Sequence, residues 1–285
     1  MAEFSIIDQY FKRASKSDVS LGIGDDSAIV TPAPSQQLVI CTDTLVAGRH
    51  FPTDTSAHAI GWKSVAVNLS DLAAMGAKPH SILLALSLPT VDHGWLAGFS
   101  QGLFDCCDQF GVSLIGGDTT QSSQLTITVT ALGWIEHGQA ITRSGAQVGD
   151  YICVSGQVGD AAFGLQHPGH ALQQRLDYPT PRCNLGQQLK GLASSMIDVS
   201  DGLAQDLGHI LKASNVGAKL QLDQLPIDES LKKLEKQQAW HYALAGGDDY
   251  ELCFTISPQN FEKLLRQQLD VPLTIIGKIT QQTGL

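Results

Sequence analysis

Apolar residues recur along the chain in alternating helical and strand periods. Phe4, Ile7, Tyr10 and Phe11 fall at helical spacing before Lys12-Arg13, which predicts a short opening helix. Leu38-Val39-Ile40-Cys41 is a compact apolar run ending at Thr42-Asp43, and it reads as a buried strand that delivers its polar residues to a strand end. Residues 57–75 are rich in Ala, Val and Leu and stop at Gly76 with Pro79 beyond, the pattern of a helix closed by a glycine, with Asp71 in its last turns. A strand over 81–88, a helix over 95–110, a short strand over 113–115 running into Gly116-Gly117-Asp118, and a β period over 125–134 follow.

Turn residues then concentrate over 136–150, where Gly138, Gly145 and Gly149 surround Arg143. The expected boundary separates an N-terminal domain, residues 1–137, from a C-terminal domain, residues 138–285. Beyond it the periods predict strands over 151–154, 251–256 and 273–279, and helices over 184–193, 203–213 and 260–269. Residues 166–182 carry three prolines and read as the most mobile loop. There is no strict internal repeat, but each half holds a glycine-flanked acid after an apolar run, which hints at two related αβ layers. The fold class is α/β in the broad, α+β sense.

Composition narrows the function. A chain of 285 residues with 43% hydrophobic residues can bury a sizeable core. Its net charge is −10 and no Lys/Arg run exceeds two residues, so the electrostatic footprint of a nucleic-acid binder is missing. No basic n-region precedes an apolar stretch at the N-terminus, and no window approaches about 18 uninterrupted apolar residues, so neither a leader nor a membrane span is expected. The expected location is cytoplasmic. The six cysteines show neither C-x-x-C nor zinc spacing and read as buried cytosolic thiols. The vicinal Cys106 and Cys107 lie in an apolar helix, where packing is the simpler role.

The candidate chemistry lies in aspartates that gather at glycine-rich turns, Gly116-Gly117-Asp118 among them. One Asp after Gly is usually a turn residue, because it hydrogen-bonds its own backbone. As a set, Asp26, Asp43, Asp71, Asp118, Asp198 and Asp201 are expected at strand ends or helix termini, where open α/β sheets hold ligands. Carboxylates sharing one crevice repel unless cations neutralise them, and hard oxygen ligands suit Mg²⁺. Gly22-Ile23-Gly24 and Gly116-Gly117 can bring backbone N–H groups close to phosphate oxygens. Neither a Walker sequence nor a full G-x-G-x-x-G is present, so ordinary P-loop and dinucleotide readings lose support. Arg143 suits a polyphosphate or an exposed interdomain ion pair, and His50 an anionic substrate or a loop cap. Lys63 and Lys78 are expected to be solvated.

Seven motifs in order carry a resemblance: Gly22-Ile23-Gly24-Asp25-Asp26-Ser27-Ala28; Thr42-Asp43-Thr44-Leu45-Val46 with Gly48, His50 and Phe51; Val67-Asn68-Leu69-Ser70-Asp71-Leu72-Ala73-Ala74-Met75-Gly76; Ile115-Gly116-Gly117-Asp118-Thr119-Thr120; Thr142-Arg143-Ser144-Gly145; Asp198-Val199-Ser200-Asp201-Gly202-Leu203; and Gly246-Gly247-Asp248-Asp249-Tyr250-Glu251-Leu252. The chain resembles the thiamine-monophosphate kinase family over nearly its whole length. Asn68-Leu69-Ser70-Asp71-Leu72 with Ala74-Met75-Gly76 is by itself similar to the wider superfamily of aminoimidazole-ribotide synthetase and selenophosphate synthetase.

The resemblance implies a two-domain aminoimidazole-ribotide-synthetase-like fold, with an N-terminal domain that contributes to a β-barrel shared in a homodimer and a layered αβ C-terminal domain. It implies transfer of the ATP γ-phosphoryl group to thiamine monophosphate, giving thiamine diphosphate and ADP. Asp26, Asp43, Asp71, Asp118, Asp198 and Asp201 would hold several Mg²⁺ ions, with Thr42 adding an oxygen and Asp71, Asp43 and Asp26 nearest the chemistry. ATP would meet Arg143, Ser200, Asp118 and the Gly117 backbone; His50 and Asp248 would face the thiamine phosphate. Three departures stand out: Cys41 replaces a hydroxyl residue, Asp248 replaces a glutamate, and the chain stops at Gly284-Leu285, short of a segment in which the family carries an aromatic residue beside the thiamine. Another ATP-dependent superfamily enzyme, acting on a ribotide amide or selenide, and a non-catalytic nucleotide or divalent-cation sensor are the alternatives.

Overall fold

The computed structural model describes residues 3–14, 19–25 and 27–284, so Asp26 lies outside the described residues. The chain forms two compact units: Met1–Leu72 with Lys78–His137, and Ala73–Ala77 with Gly138–Leu285.

In the first unit the opening helix α1 (Glu3–Ile6) continues as a π-helical turn, Ile7–Phe11. Strands β1 (Val19–Leu21) and β2 (Ile29–Val30) pair with each other. The main sheet comprises β3 (Gln36–Val46), β4 (Lys78–Leu88), β5 (Ser113–Gln121) and β6 (Thr126–Glu136) in the order β3-β6-β4-β5. Only β4 and β5 run parallel, and the crossover that a parallel pair requires contains helix α3 (His93–Phe110). Asp92 caps α3 by accepting from the Gly94 and Trp95 N–H groups, and Gly111 closes it at φ 67°.

Helix α2 (Ala57–Ala74) is buried along most of its length, with Val65, Ala66, Leu69 and Leu72 at 0–1% exposure. Glycines let it approach α3 backbone to backbone: a Cβ at Gly61 would overlap the Phe99 carbonyl, and one at Gly102 the His58 carbonyl.

Three expectations are corrected in this sheet. Thr42-Asp43 is not a strand end. The β-branched and apolar residues Thr44, Leu45 and Val46 carry the ladder on, and Asp43 pairs with Val129 in mid-strand. Nor is β3 buried on both faces: alternation sends Val39, Cys41, Asp43 and Leu45 one way, and Leu38 and Ile40, at 43% and 58% exposure, the other. Likewise Gly116-Gly117-Asp118 forms no turn but lies inside β5, paired with Leu83, Leu84 and Ala85. Gly117, at φ 150°, is required by close approach, since a Cβ there would overlap the Leu84 carbonyl.

The second unit is built on an antiparallel sheet of β7 (Tyr151–Ser155), β8 (Ala193–Asp198), β9 (Gly217–Leu220), β10 (Leu252–Ile256) and β11 (Leu273–Thr280), ordered β8-β10-β7-β11-β9. Its helices are α4 (Asp160–Gln166), α5 (Gln173–Asp177), α6 (Cys183–Gln188), α7 (Leu203–Ser214), α8 (Glu229–Lys232), α9 (Lys236–Ala245) and α10 (Pro258–Leu264). Ile152, Val154, Ile197, Leu207, Ile210 and Ile276 form the centre of its core.

The helix expected over 184–193 stops at Gln188, because Gly191 at φ 70° turns the chain into β8. That strand, β9, α4 and α9 are additions to the sequence reading. The segment 166–182 contains α5, and Arg175 and Arg182 tie it to buried Glu251. All six cysteines are free thiols, and only Cys41 is not fully buried. Among the described residues no helix is long and apolar enough to cross a membrane.

Candidate functional site

In the first unit Cys41 and Asp43 lie on the same side of β3, and the Cys41 thiol donates to the Asn68 carbonyl of α2 at 3.3 Å. Burial pushes the thiol far above its ordinary range, and the Asp71 and Asp43 carboxylates push it further the same way. Asp43 and Asp71, 28 positions apart in the chain, therefore converge on one neutral sulfur. Thr42 points to the other face, where its hydroxyl donates to the Val129 carbonyl at 3.1 Å and accepts from Thr130 at 3.1 Å. Any oxygen it offers beside Asp43 has to come from the main chain.

His50 is exposed, and its Nδ1 accepts from the Val46 N–H at 3.0 Å, a pairing that places the proton of a neutral ring on Nε2. Lys63 is 3% exposed and sends its ammonium to the His50 carbonyl at 3.4 Å, which corrects the expectation that it is solvated. Its stem packs into the core while its head reaches a carbonyl. Lys78 is exposed, as expected.

The two glycine-rich segments of this unit meet across a cavity of about 1040 Å³, lined by Gly22, Gly24 and Ser27 on one side and Gly116, Gly117 and Asp118 on the other. Bare backbone on both walls admits a ligand close to N–H groups. Lys12 stands on its rim, 3.2 Å from Asp8.

In the second unit the motifs around Asp198 and Asp248 are laced together through their backbones. The Val199 N–H donates to the Glu251 carbonyl, Tyr250 N–H to Val199, and Asp248 N–H to Ser200, each at 2.8 Å. Ser200 and Asp248 are thus neighbours. The carboxylate of Asp206, in the first turn of α7, accepts from the Ser200 and Asp201 N–H groups at 3.0 and 3.1 Å and ties this loop to the helix. Burial raises the Asp206 pKa to about 6 against the pull of those N–H groups.

The acids that follow Asp248 turn inward. Asp249 accepts from the Gly159 N–H at 2.7 Å, and burial nevertheless holds its carboxyl well above the usual range. Glu251, 0% exposed, accepts from Ser155 Oγ at 2.6 Å, Arg175 at 2.6 Å and Arg182 at 2.7 and 2.5 Å. Its hydrogen-bonding capacity is used by the fold.

Arg143 is exposed in a turn organised by Ser214, whose hydroxyl accepts from the Gly145 and Ala146 N–H groups and donates to the Arg143 carbonyl. Ser214 ends α7 while Ser200 precedes its start, and a helix of 12 residues spans about 18 Å. The Arg143 backbone and the Ser200 loop thus lie at opposite ends of α7. Among the described residues no three His, Cys, Asp or Glu side chains stand close enough together to hold a metal ion.

Residues 24–135 match the family described as AIR synthase related protein, N-terminal domain, and residues 166–285 the corresponding C-terminal domain. The chain is 48% identical over 299 residues to the thiamine-monophosphate kinase of Haemophilus influenzae, covering 100% of this chain and 91% of that protein. The chain belongs to the thiamine-monophosphate kinase family. Among solved structures, the thiamine-monophosphate kinase of Stenotrophomonas maltophilia superposes with a TM-score of 0.89 at 47% identity, covering 94% of this chain and 90% of that one. A structure described as AaThiL complexed with AMPPCP and TMP superposes at 0.79 and 30% identity, covering 89% and 84%.

Within this family frame the sequence reading found the motifs but missed what supports them. Asp206 carried one usable signal, an acid in the first turn of a helix that follows a glycine-rich loop. Arg175 and Arg182 carried none, because their partner lies 76 and 69 positions away.

Proposed function

We propose that this chain transfers the γ-phosphoryl group of ATP to the phosphate of thiamine monophosphate, giving thiamine diphosphate and ADP, in the cytoplasm and as a homodimer. The observation that carries this reading is the 48% identity to a thiamine-monophosphate kinase along the whole chain. The ordered acidic motifs support it. So does the relative complexed with AMPPCP and TMP, and the six free thiols agree with a reducing compartment.

The donor set suits Mg²⁺. Asp43 and Asp71 crowd a thiol that stays protonated, so hard carboxylate oxygens, rather than sulfur, would be the ligands there. Asp26, Asp43, Asp71 and Asp118 in the first unit, and Asp198 and Asp201 in the second, would hold the ions, with the Thr42 main chain adding an oxygen. Bound Mg²⁺ would screen repulsion between the two polyanions and stabilise charge on the transferring group.

The rest of the work falls to the chain itself. Gly117 offers bare backbone to ATP, and the Ser200 loop, held by Asp206, together with Arg143 would contact the nucleotide. His50 presents an N–H donor to the acceptor phosphate, and Asp248 an anion to the cationic part of the acceptor. The acceptor oxygen is already largely ionised near neutral pH, so no general base is needed. Transfer is direct, in line and without a phospho-enzyme; labelled protein isolated after incubation with γ-labelled ATP alone would contradict that step.

The exposed row of Leu38 and Ile40 on β3 supports pairing of two copies through this sheet face. The decisive experiment is ³¹P NMR of the protein with ATP, Mg²⁺ and thiamine monophosphate. Diphosphate resonances of the product, abolished by EDTA, are expected; ATP binding without any transfer overturns the reading.

A further inference from the structure

We propose that Tyr250 is the positioning residue of Asp248, setting the direction in which that carboxylate meets the acceptor. The Tyr250 hydroxyl donates to Asp248 Oδ1 at 2.9 Å, and the tyrosine is only 7% exposed. Asp248 and Tyr250 both have left-handed backbone, φ 67° and 52°, a conformation that side chains other than glycine's rarely adopt. Such strain persists where the surroundings over-determine it, and here they do. Backbone hydrogen bonds to Ser200 and Val199 clamp the same two residues, while Asp249 and Glu251 are anchored in the interior.

The geometry that results is specific. Asp249, Tyr250 and Glu251 are all buried, while Asp248 is only half-buried and has the Tyr250 hydroxyl fastened to its carboxylate. An aspartate side chain has only two torsions, so a charge-assisted hydrogen bond to one of its oxygens goes far toward fixing its orientation. Tyr250 holds one oxygen of Asp248 and so directs the carboxylate plane toward the acceptor. The contact with acceptor rests on the kinase reading above; the orienting bond does not.

The test is a double-mutant cycle of Tyr250→Phe and Asp248→Asn, with KM and kcat measured for both substrates. Tyr250→Phe keeps the packed ring and should raise KM for thiamine monophosphate about tenfold, leaving KM for ATP and the kcat at saturation within about twofold. In the Asp248→Asn background the same change should add little. An equal effect in both backgrounds, or parallel damage to ATP kinetics, marks a merely structural tyrosine and overturns the proposal. A crystal structure of Tyr250→Phe reads orientation without turnover: Asp248 should take more than one rotamer, and a single unmoved rotamer overturns the proposal whatever the activity. Failure of the wild-type protein to phosphorylate thiamine monophosphate would sink the kinase reading instead.

Discussion

The two units treat their acids in different ways. In the first, Asp43 and Asp71 press on the same half-buried thiol and add to the rise in its pKa that burial causes, and Asp118 sits exposed on β5 beside a glycine-walled cavity. In the second, three buried acids are absorbed by the fold: Glu251 by Arg175, Arg182 and Ser155, Asp249 and Asp206 by backbone N–H groups. Both units carry glycine-flanked acids that look alike in the sequence. What separates a candidate ligand from a structural anchor is the direction its carboxylate takes and the partner it meets there.

The sharpest way to break this contrast is to remove an anchor. Glu251→Gln leaves two partly buried guanidiniums facing a neutral amide, and a loss of about 3–5 kcal/mol is expected in urea denaturation. A loss below about 1 kcal/mol would remove Glu251 from the structural class.

Asp71→Asn is the converse. It should lower turnover about 100-fold or more while the thermal midpoint holds, because Asp71 is assigned to the chemistry and not to the fold. Near-normal turnover at saturating Mg²⁺ would end that assignment.

Asp160 gives a pH-dependent version of the comparison. Burial raises its pKa to about 6 from 3.8, opposed by Arg175 and reinforced by Asp228 and Glu251, with Asp249 raised alongside. The folded protein keeps a proton that the unfolded chain releases between about pH 4 and 6. Stability therefore falls as pH rises through that window, by roughly 2–3 kcal/mol from this group, and is level above it. Asp160→Asn should make the slope shallower without abolishing it, since Asp249 contributes with the same sign. An unchanged slope counts against the assignment.

The smallest effect on folding is expected at Ile40. Its 58% exposure makes Ile40→Asp nearly neutral for the stability of a single copy, yet the change should convert the proposed dimer to a monomer in sedimentation velocity. A dimer that survives it would move the interface elsewhere.

Much of the fold was legible because its signals are local. The apolar run of α2 with Gly76 behind it, the alternation of β6 and the periodicity of α7 each depend on neighbours within a few residues. Errors came where tertiary pairing overrode a local signal. Gly116-Gly117 reads as a turn but continues β5, because β4 supplies a ladder and only glycine fits against Leu84. Residues 166–182 read as mobile from their prolines, but two arginines anchor them to Glu251. Of the site, the acids were visible by type and order; the hydrogen bonds of Asp206 to the Ser200 and Asp201 N–H groups and of Tyr250 to Asp248 were not.

What the sequence determined by itself is the order of seven motifs, and with it the family and the candidate acids. What only the tertiary structure decided is the direction of each side chain: Thr42 away from Asp43, Asp249 and Glu251 inward, Asp248 onto the Tyr250 hydroxyl. The physical reason is separation along the chain. A carboxylate's state depends on charges and hydrogen-bond donors within a few ångströms, and here those partners come from dozens of residues away.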